Sequence, residues 1–403
     1  MTYKELKIIK FQHSDDIERI YQERLNNIGT VKTEMYPVLM KRGETKGHRF
    51  PLFVVPLLEI QILSQQIQEK SNQILSLSAQ LPPIAQNHLY REQLYRAVID
   101  TNEIEGVKTT RREVSDAYQA ISDGKGSGIR LFSTVRLYQD ILEQEPFRID
   151  TIESIRDIYD KLTDGEIRQD DKPDGRLFRN GPVSILDDKN GKIDHIPPIM
   201  EETIILMLSS WIQFINDRTI PFLTKAFLAH YFFENIHPFY DGNGRIGRYI
   251  LSRYLSRKLD IFSGLMISQK INASRSIYYK AFQKTGDFDN RAEGTFFVWD
   301  MMSLLASGQD DMISMLEEKI ALLNDFWQEL EEGSFTDLQR EIMFILFQST
   351  TFTDDKKDGI EDRQLIEFLS DRFARKKIKD TIKSLRDLDH IKQVTKAPSR
   401  HIV

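Results

Sequence analysis

One short run of this sequence concentrates the side chains that could do chemistry. Between His237 and Arg248 it joins an imidazole, a carboxylate, an amide, three glycines and two guanidinium groups. A base beside a group of anion-binding donors is what transfer of a phosphorus-containing group to a hydroxyl requires. The run therefore predicts the active site.

The middle of the run is typical of an anion-binding turn. The backbone N–H groups of Gly242, Asn243 and Gly244 are predicted to converge at the start of a helix, where phosphate is favoured. Arg245 and Arg248 lie three positions apart, so we expect them to share a face of that helix and to point at the same anion.

The two other polar side chains fit a metal ligand and a base. Asp241 offers the hard oxygen that Mg²⁺ prefers. His237 can be neutral near pH 7 and accept a proton from an incoming hydroxyl. Nucleotidyl or phosphoryl transfer follows, although spacing alone does not say which phosphorus is attacked.

Simpler interpretations of the run fit less well. The glycine spacing matches a dinucleotide-binding fingerprint, but that site needs a preceding strand and a helix precedes the run here. A calcium loop matches the first residues, but Ile246 replaces its obligatory glycine and Ser252 its bidentate glutamate. A plain helix–helix turn explains the glycines but not the charged side chains.

The elements around the run are predicted to be mainly helical. Phe222 to Ile236 is apolar on nearly every side, which indicates a buried helix, and Tyr249 to Leu259 indicates another. Two short apolar runs, Val183–Leu186 and Ile193–Ile196, flank an Asn-Gly turn and predict a hairpin. Its exposed edge would suit an extended peptide.

The bulk composition describes a globular chain in two or three domains. It has 403 residues, 40% hydrophobic and 29% charged, and a net charge of -6. There is no cysteine, hence no disulfide, thiol nucleophile or thiolate metal site. The charged first residues do not resemble a signal peptide and no apolar stretch suits a bilayer, so we expect a cytoplasmic protein without a membrane.

Three regions are predicted: 1–145, 146–331 and 334–403. The first holds an expected strand at Lys7–Phe11 and helices from Leu57 onward, and the second separate helices at Glu293–Leu305 and Met312–Leu330. The third reads as three short helices and a terminal hairpin, typical of a winged helix. From Arg372 to Arg400 it has ten Lys or Arg against three Asp, which permits DNA contact, although protein-docking modules share this pattern.

Glu105 stands in an unusual place. It precedes Gly106, which we expect to cap a helix in the left-handed conformation. A carboxylate at a helix C-terminus is mildly unfavourable, but taken alone Glu105 is better explained as a solvated side chain.

The run resembles the signature of the Fic-domain family, His-Pro-Phe-x-Asp-Gly-Asn-Gly-Arg-x-x-Arg, at every defined position. The similarity extends from about Ile155 to Leu305 and includes Phe178-Arg179 and Tyr278-Tyr279. It implies a mainly α fold and transfer of AMP from Mg-ATP to a Ser, Thr or Tyr hydroxyl of a target protein, releasing pyrophosphate.

The resemblance also implies a role for each residue of the run. These roles are His237 as the base, Asp241 as the Mg²⁺ ligand, Asn243 with the Gly242 and Gly244 amides on the α- and β-phosphates, and Arg245 and Arg248 on the outer phosphates.

Two further sites follow from the resemblance. The hairpin, with Val183, Ser184 and Ile185, is similar to the flap that clamps the target segment. Ser274 stands where the family often has an asparagine on the base or ribose of the nucleotide, so that contact is expected in altered form.

The resemblance gives Glu105 a different interpretation. Thr101-x-x-x-Glu105-Gly106 matches the family's inhibitory-helix pattern, Ser/Thr-x-x-x-Glu-Gly/Asn. Glu105 would then pair with Arg248 and deny it to the γ-phosphate. We therefore expect a self-inhibited enzyme that labels itself when Glu105 is replaced.

Several alternatives stay open. Relatives that phosphorylate carry lysine where Gly244 stands, others move phosphocholine, and AMP removal would use the same pocket with Glu105 orienting a water. A DNA-binding regulator acting through the C-terminal region is the alternative outside enzymes. The target and the oligomeric state, including a homodimer, are not readable from the sequence.

Overall fold

The computed structural model describes residues 3–124, 128–186 and 191–403, and the fold is mainly helical, as predicted. The helices, in chain order, are α1 (Leu6–Gln12), α2 (Ile17–Leu25), α3 (Leu58–Ser78), α4 (Pro83–Ile104), α5 (Arg111–Ser122), α6 (Phe132–Leu142), α7 (Ile152–Leu162), α8 (Glu201–Asn216), α9 (Phe222–Ile236), α10 (Asn243–Lys258), α11 (Ile261–Ala273), α12 (Arg275–Gly286), α13 (Thr295–Glu332), α14 (Asp337–Thr351), α15 (Asp362–Leu369) and α16 (Arg375–Asp387).

The strands are short and form four antiparallel pairs in the described chain. They are β1 (Val31–Lys32) with β4 (Phe53–Val54), β2 (Met40–Lys41) with β3 (Glu44–Thr45), β5 (Ile185–Leu186) with β6 (Ile193–His195), and β7 (Lys392–Lys396) with β8 (Ser399–Ile402).

The chain divides into two compact units. The first contains Tyr95–Gln309 together with the residues up to Ser71, and the second contains Asn72–Leu94 and Asp310–Val403. Each unit therefore combines segments that are distant in sequence. The three regions expected from the sequence stay a prediction about domains.

In the first unit, α9 is the central buried helix. It packs against α8 and α10, and α10 packs in turn against α11. The indole Nε1 of Trp211 on α8 donates to the carbonyl of Ala229 on α9 at 2.8 Å. Because α9 is apolar on most sides, it can be enclosed by its neighbours and hold the residues at its C-terminus in place.

The N-terminal segment is anchored to the same unit by a buried carboxylate. Glu293 accepts hydrogen bonds from the hydroxyl of Tyr3 at 2.6 Å and from Arg24 at 2.7 Å. The strand expected at Lys7–Phe11 is wrong, because these residues lie in α1. Leu6 and Ile9 share the inward face at a spacing of three, which is a helical period.

A second expectation also fails in this unit. The separate helices predicted at Glu293–Leu305 and Met312–Leu330 form one helix, α13. Gly308 does not end it. A Cβ at Gly308 would lie 2.8 Å from Cγ of Lys270 and 3.1 Å from Sδ of Met266, so the glycine serves the close packing of α11.

The predicted hairpin is present. Ile185 pairs with His195 and Leu186 with Ile193 in antiparallel register. The expected turn lies mostly outside the described residues, although Gly191 has φ +66°.

The second unit has its own core. Buried apolar residues of α14, α15 and α16 pack together with Leu330 and Ile84. Thr336 caps α14 in a capping box with Gln339. The order of three helices followed by the β7–β8 hairpin agrees with the prediction for this region, whereas its assignment as a winged helix stays a prediction.

No helix among the described residues is both long and apolar enough to cross a membrane.

Candidate functional site

The predicted run lies on one side of a cavity of about 460 Å³ in the first unit. Its walls come from the ends of α4, α9 and α10, the β5–β6 hairpin, α12 and the turn between β2 and β3. The lining residues used below are Arg42, Glu105, Ile185, Glu234, His237, Gly244, Arg248 and Tyr278.

His237 sits at the point where α9 ends. It adopts the left-handed conformation (φ 49°, ψ 64°), and its N–H donates to the carbonyl of Phe233 at 3.0 Å. A non-glycine residue in this conformation needs support from its surroundings. Arg179 provides it, because its fully buried guanidinium donates to the carbonyls of His237 and Ile236 at 2.8 and 3.3 Å.

The His237 imidazole is neutral at physiological pH. Burial, helped by the nearby His195 and Arg179, lowers its pKa to about 3. Its Nδ1 is buried, and the ring lines the cavity. A neutral imidazole has one unprotonated nitrogen and can accept a proton, as the sequence predicts for the base.

The turn between α9 and α10 is held by its own side chains. The amide of Asn243 accepts from the N–H of Phe239 at 2.9 Å and donates to the carbonyl of Phe239 at 2.8 Å. The Asn243 side chain is therefore used within the turn. Gly242, with φ +86°, precedes the first residue of α10, so the backbone N–H groups that follow it start the helix as predicted.

Arg248 is held by the end of α4. Its Nη2 donates to Oε1 of Glu105 at 2.7 Å and to the carbonyl of Thr101 at 3.0 Å, and its Nε donates to the Thr101 hydroxyl at 2.9 Å. Arg248 is only 1% exposed. Burial opposes its charge, but the Glu105 carboxylate raises the pKa of Arg248 above its usual range. The predicted pair between Glu105 and Arg248 is present.

Gly106 ends α4 as expected. It has φ +71°, and its N–H donates to the carbonyl of Glu103 at 3.1 Å. This left-handed turn stops the helix immediately after Glu105, so the carboxylate projects beyond the last helical turn.

The Glu105 carboxylate also lies against Gly244. A Cβ at Gly244 would be 2.2 Å from Oε1 of Glu105 and 2.8 Å from Nη1 of Arg248. Gly244 is in the first turn of α10, where unpaired N–H groups and the helix dipole favour an anion. Glu105 therefore occupies the position at which the sequence predicts a phosphate.

Arg245 does not join Arg248. Its Nη1 donates to Oε2 of Glu166 at 2.5 Å, and its Nη2 is 3.9 Å from Oδ2 of Asp241. The expectation that both guanidinium groups point at one anion differs from the structure, because each has its own carboxylate partner. Burial raises the pKa of Glu166, and Arg245 opposes that shift. Nothing in the sequence near Glu166 indicated this pair.

Asp241 has one carboxylate oxygen, Oδ2, whose ion-pair partner Arg245 is at the long distance of 3.9 Å. Its side chain is 45% exposed, and Oδ1 accepts the N–H of Gly242 at 2.6 Å. The described residues contain no group of three His, Cys, Asp or Glu side chains able to hold a metal. A single carboxylate nevertheless fits Mg²⁺, which in phosphate sites is bound by one or two carboxylates, waters and the substrate phosphates.

Of the two remaining predicted sites, the hairpin reaches the cavity and Ser274 does not line it. Ile185 lines the cavity, whereas Val183 and Ser184 precede the strand. Ser274 stands between α11 and α12, where its carbonyl accepts the N–H groups of Ile277 and Tyr278 at 2.9 and 3.2 Å. It is not among the described residues that line the cavity.

Glu234 is one of the titratable residues of the cavity that sequence reasoning missed. Glu234 lies on α9, and a Cβ at Gly247 would be 2.1 Å from its Oε1, which has no hydrogen-bond partner in the described chain. Burial raises the pKa of Glu234 to about 8, with Arg248 opposing and Glu105 adding to the shift. Its position three residues before His237 was the available signal, since that spacing puts both on one helix face.

Residues 147–255 match the model of the Fic/DOC family. A probable protein adenylyltransferase of Aquifex aeolicus is 28% identical over 110 residues, which cover 23% of this chain and 34% of that protein. The protein adenylyltransferase Fic of Drosophila melanogaster is 38% identical over 65 residues, which cover 16% of this chain and 13% of that protein. The chain thus spans about a third or less of these curated relatives.

A solved structure shares the fold over most of the chain. The crystal structure of a Fic family protein from Desulfovibrio desulfuricans G20 superposes with a TM-score of 0.53 at 20% identity, covering 86% of this chain and 96% of that one.

Proposed function

We propose that this Fic-domain protein is a self-inhibited protein adenylyltransferase, which transfers AMP from ATP to a hydroxyl of a target protein and releases pyrophosphate. The observation that carries the proposal is the Glu105 carboxylate, which lies beside Gly244 and pairs with Arg248 at 2.7 Å. The printed names of the two curated relatives support AMP as the transferred group.

The reaction forms one bond and breaks one. The target oxygen attacks the α-phosphorus of ATP, and the bond from that phosphorus to the oxygen it shares with the β-phosphorus breaks. The hydroxyl proton goes to the imidazole of His237, which lines the cavity and whose lowered pKa keeps the ring neutral beforehand. The backbone N–H groups at the start of α10 and the guanidinium of Arg248 would stabilise the charge on the phosphates.

The proposed metal ligand is Asp241. Mg²⁺ bound there would neutralise phosphate charge during the transfer. The exposure of the Asp241 side chain supports this assignment. Arg245 holds the loop beside it, because its bond to Glu166 fixes the guanidinium 3.9 Å from Asp241.

The proposed partner is a protein that presents a Ser, Thr or Tyr hydroxyl in an extended segment. Leu186 and Ile193 on the β5–β6 hairpin are 53% and 42% exposed, so its edge is available for strand addition. Ile185 lines the cavity beneath it, which would bring the bound segment to His237. The protein itself is one such target when the site is open.

Inhibition follows from competition for one anion site. With Glu105 in place, the positive end of α10 and the Arg248 guanidinium already have an anion. The γ-phosphate would then lose its strongest partner, and ATP would bind with its α-phosphorus out of line. AMP removal is the alternative for the same cavity, with Glu105 orienting a water.

The test is labelling with ATP that carries ³²P on the α-phosphate. Glu105→Gly should raise self-labelling at least about tenfold, because it frees Arg248 for the substrate. The matched control is Glu103→Gly, which changes an exposed carboxylate of the same helix end and should leave labelling low. Adding His237→Ala to Glu105→Gly should lower it about 10²- to 10⁴-fold.

The same experiment distinguishes the other transfers. Label from the γ-phosphate alone would indicate phosphorylation, and loss of label from an AMP-modified target would indicate AMP removal. Unchanged labelling in Glu105→Gly would exclude inhibition by this carboxylate.

We also propose that α16 provides a nucleic-acid contact for the full chain. Arg375, Lys376 and Lys377 are exposed at its start, and they form no ion pair within the described residues. We expect the full chain to retain duplex DNA less strongly as the salt concentration rises. A variant with these three residues changed to Ala should retain less DNA and depend less on salt, because it neutralises fewer phosphates. Equal retention by the variant would exclude this contact.

A further inference from the structure

A second cavity, of about 310 Å³, lies on the other side of α9 from the candidate active site. Its walls are α8, α9, α10 and the segment 147–149. On α9 it is lined by Ala226, Ala229 and Phe233, whereas Tyr231 and Glu234 face the first cavity. The two cavities therefore use different faces of one helix, and the catalytic residues leave this one unexplained.

Positive charge is concentrated on this cavity. Its lining contains six cations, Arg148, Arg218, Lys225, Arg253, Arg257 and Lys258, and none of the lining residues that the structure describes is Asp or Glu.

Most of these cations have no carboxylate partner. Arg148 pairs with Asp150 at 2.8 Å, but the other five form no ion pair within the described chain. The positive charges are close enough to affect one another at Lys225. Burial and then Lys258 lower the pKa of Lys225, and Asp217 opposes that shift. A net positive cavity in a protein of net charge -6 indicates an anionic ligand.

The charges lie at one end of the cavity. α9 and α10 are joined by a short connection and run antiparallel, so Lys225 near the start of α9 meets Lys258 at the end of α10. The other end is formed by Phe233 and Gly247. Between the ends lie the apolar side chains of Trp211 and Ile250. The cavity thus has a cationic end and an apolar body.

Two buried polar atoms at this cavity have no partner in the described structure. They are Nε of Arg253 and the hydroxyl of Tyr254. Arg253 is only 5% exposed, and its other nitrogens donate to the backbone carbonyls of Asp140 and Glu145. Buried donors are normally satisfied, so their presence in a cavity of ligand size favours a bound molecule with polar groups.

We infer that this cavity binds a small organic anion in which a phosphate or a similar group is joined to an apolar ring. The anionic group lies among Arg257, Lys258 and Lys225, since guanidinium forks and ammonium groups suit phosphate oxygens. The ring lies against Trp211, Phe233 and Ile250. Binding here does not depend on adenylyl transfer, because no residue of the cavity takes part in that reaction.

The experiment is calorimetric titration of the full chain with 1-naphthyl phosphate. We expect saturable binding at one site, and binding at least about tenfold weaker for 1-naphthol and for inorganic phosphate, which each lack one half of the ligand. Arg257→Ala combined with Lys258→Gln should weaken the binding of naphthyl phosphate by about tenfold or more. Both side chains are exposed, so the fold should survive.

Two further variants locate the site. Ala226→Leu fills the apolar body and should also weaken binding, whereas Lys161→Gln, an exposed lysine on α7 outside the cavity, should not change it. Arg248→Ala should bind naphthyl phosphate like the parent, because that residue lines the other cavity. An absence of binding would overturn the inference. So would binding that is abolished by Arg248→Ala but unchanged by the Arg257 and Lys258 changes.

Discussion

Arg248 is the side chain on which the proposed control depends. Its three described hydrogen bonds all go to Thr101 and Glu105, and it is almost fully buried. A buried guanidinium without a carboxylate is costly, so an open site requires another anion beside it. The outer phosphate of ATP would meet that need, which makes substrate and Glu105 alternatives for the same charge.

Glu234 is a second carboxyl beside this arginine, and its protonation should follow pH. Its folded pKa, about 8, is raised by burial above the ordinary value of 4.5. A carboxyl with a raised pKa stabilises the fold fully below about 4.5, and that contribution is lost as the pH rises toward 8. The groups that face it from the neighbouring elements are Arg248, Glu105 and Tyr278, and the buried His230 lies beside it on α9.

We therefore predict that Glu234→Gln becomes more stable relative to the parent as the pH rises. The difference in free energy of unfolding should grow between pH 5 and 8 and then level off, by about 1.4 kcal/mol per unit of pKa shift. Urea unfolding at several pH values measures it. Glu103→Gln is the matched control and should show no such trend, and a constant difference for Glu234→Gln would contradict the raised pKa.

Single residues of the site could be predicted only where the sequence pattern included both partners. Glu105 and Arg248 each belong to a recognisable pattern, so their pairing was predicted. Arg245 was predicted with the run, but its partner Glu166 lies in a loop without a pattern. The amide of Asn243 was expected on phosphate, whereas it bonds the backbone of Phe239, because a side chain's orientation is not contained in its spacing.

Among the elements, the helices and the hairpin with strong periodicity or turn signals were predicted. The elements that were predicted wrongly, α1 and α13, have local reasons for the error. α9 and the β5–β6 hairpin were found where expected. α1 was mistaken for a strand because a short apolar run fits either period. α13 was predicted as two helices, whereas Gly308, between the two predicted segments, lies inside one helix and packs against Met266.

The β2–β3 hairpin is the element whose position the sequence could not indicate. Its turn residues, Arg42 and Gly43, have φ 55° and 80°, a conformation typical of tight two-residue hairpins. Met40 bridges Asp287, and the backbone of Val38 bonds the side-chain amide of Asn235. These long-range contacts bring the exposed Arg42 to the edge of the candidate active site.

We predict that Arg42 contributes to binding of ATP or target without taking part in the chemistry. In the Glu105→Gly background, Arg42→Ala should raise the KM for ATP or for the target by up to about fivefold, as expected for an exposed charge. It should leave kcat unchanged. Lys46→Ala is the matched control, since Lys46 is on the same hairpin and pairs with Glu44. An unchanged KM for both substrates, or a lower kcat, would contradict this role.

Across the whole molecule, the two units differ in how many described histidines have a pKa lowered by burial. Burial is the largest cause in each case and lowers the pKa of His195 to about 4 and those of His230 and His237 to about 3, and all three belong to the first unit. In the second unit, burial lowers the pKa of His88. A histidine with a lowered folded pKa stabilises the fold above its unfolded pKa of about 6.5, and this stability is lost as the pH falls below that value.

We therefore predict that the first unit loses stability steeply on acidification from pH 7.5 to 5.5. The unfolded chain takes up protons on three histidines that the folded unit keeps neutral, which contributes about 4 kcal/mol per pH unit at the acidic end. Glu234 holds a proton in the folded unit that the unfolded chain has lost, so the net slope should approach about 3 kcal/mol per pH unit. Trp327 is in the second unit, and the two other tryptophans, Trp211 and Trp299, are in the first. Urea unfolding of Trp327→Phe followed by tryptophan fluorescence thus reports the first unit alone. His195→Gln in that background removes one of the three histidine protons and should lower the slope by about 1.4 kcal/mol per pH unit. The fold should survive, because the Nε2 contact of His195 with the carbonyl of Asn235 can be kept by an amide. A free energy that stays constant between pH 7.5 and 5.5, or a slope that His195→Gln leaves unchanged, would show that these histidines are not kept neutral by the fold.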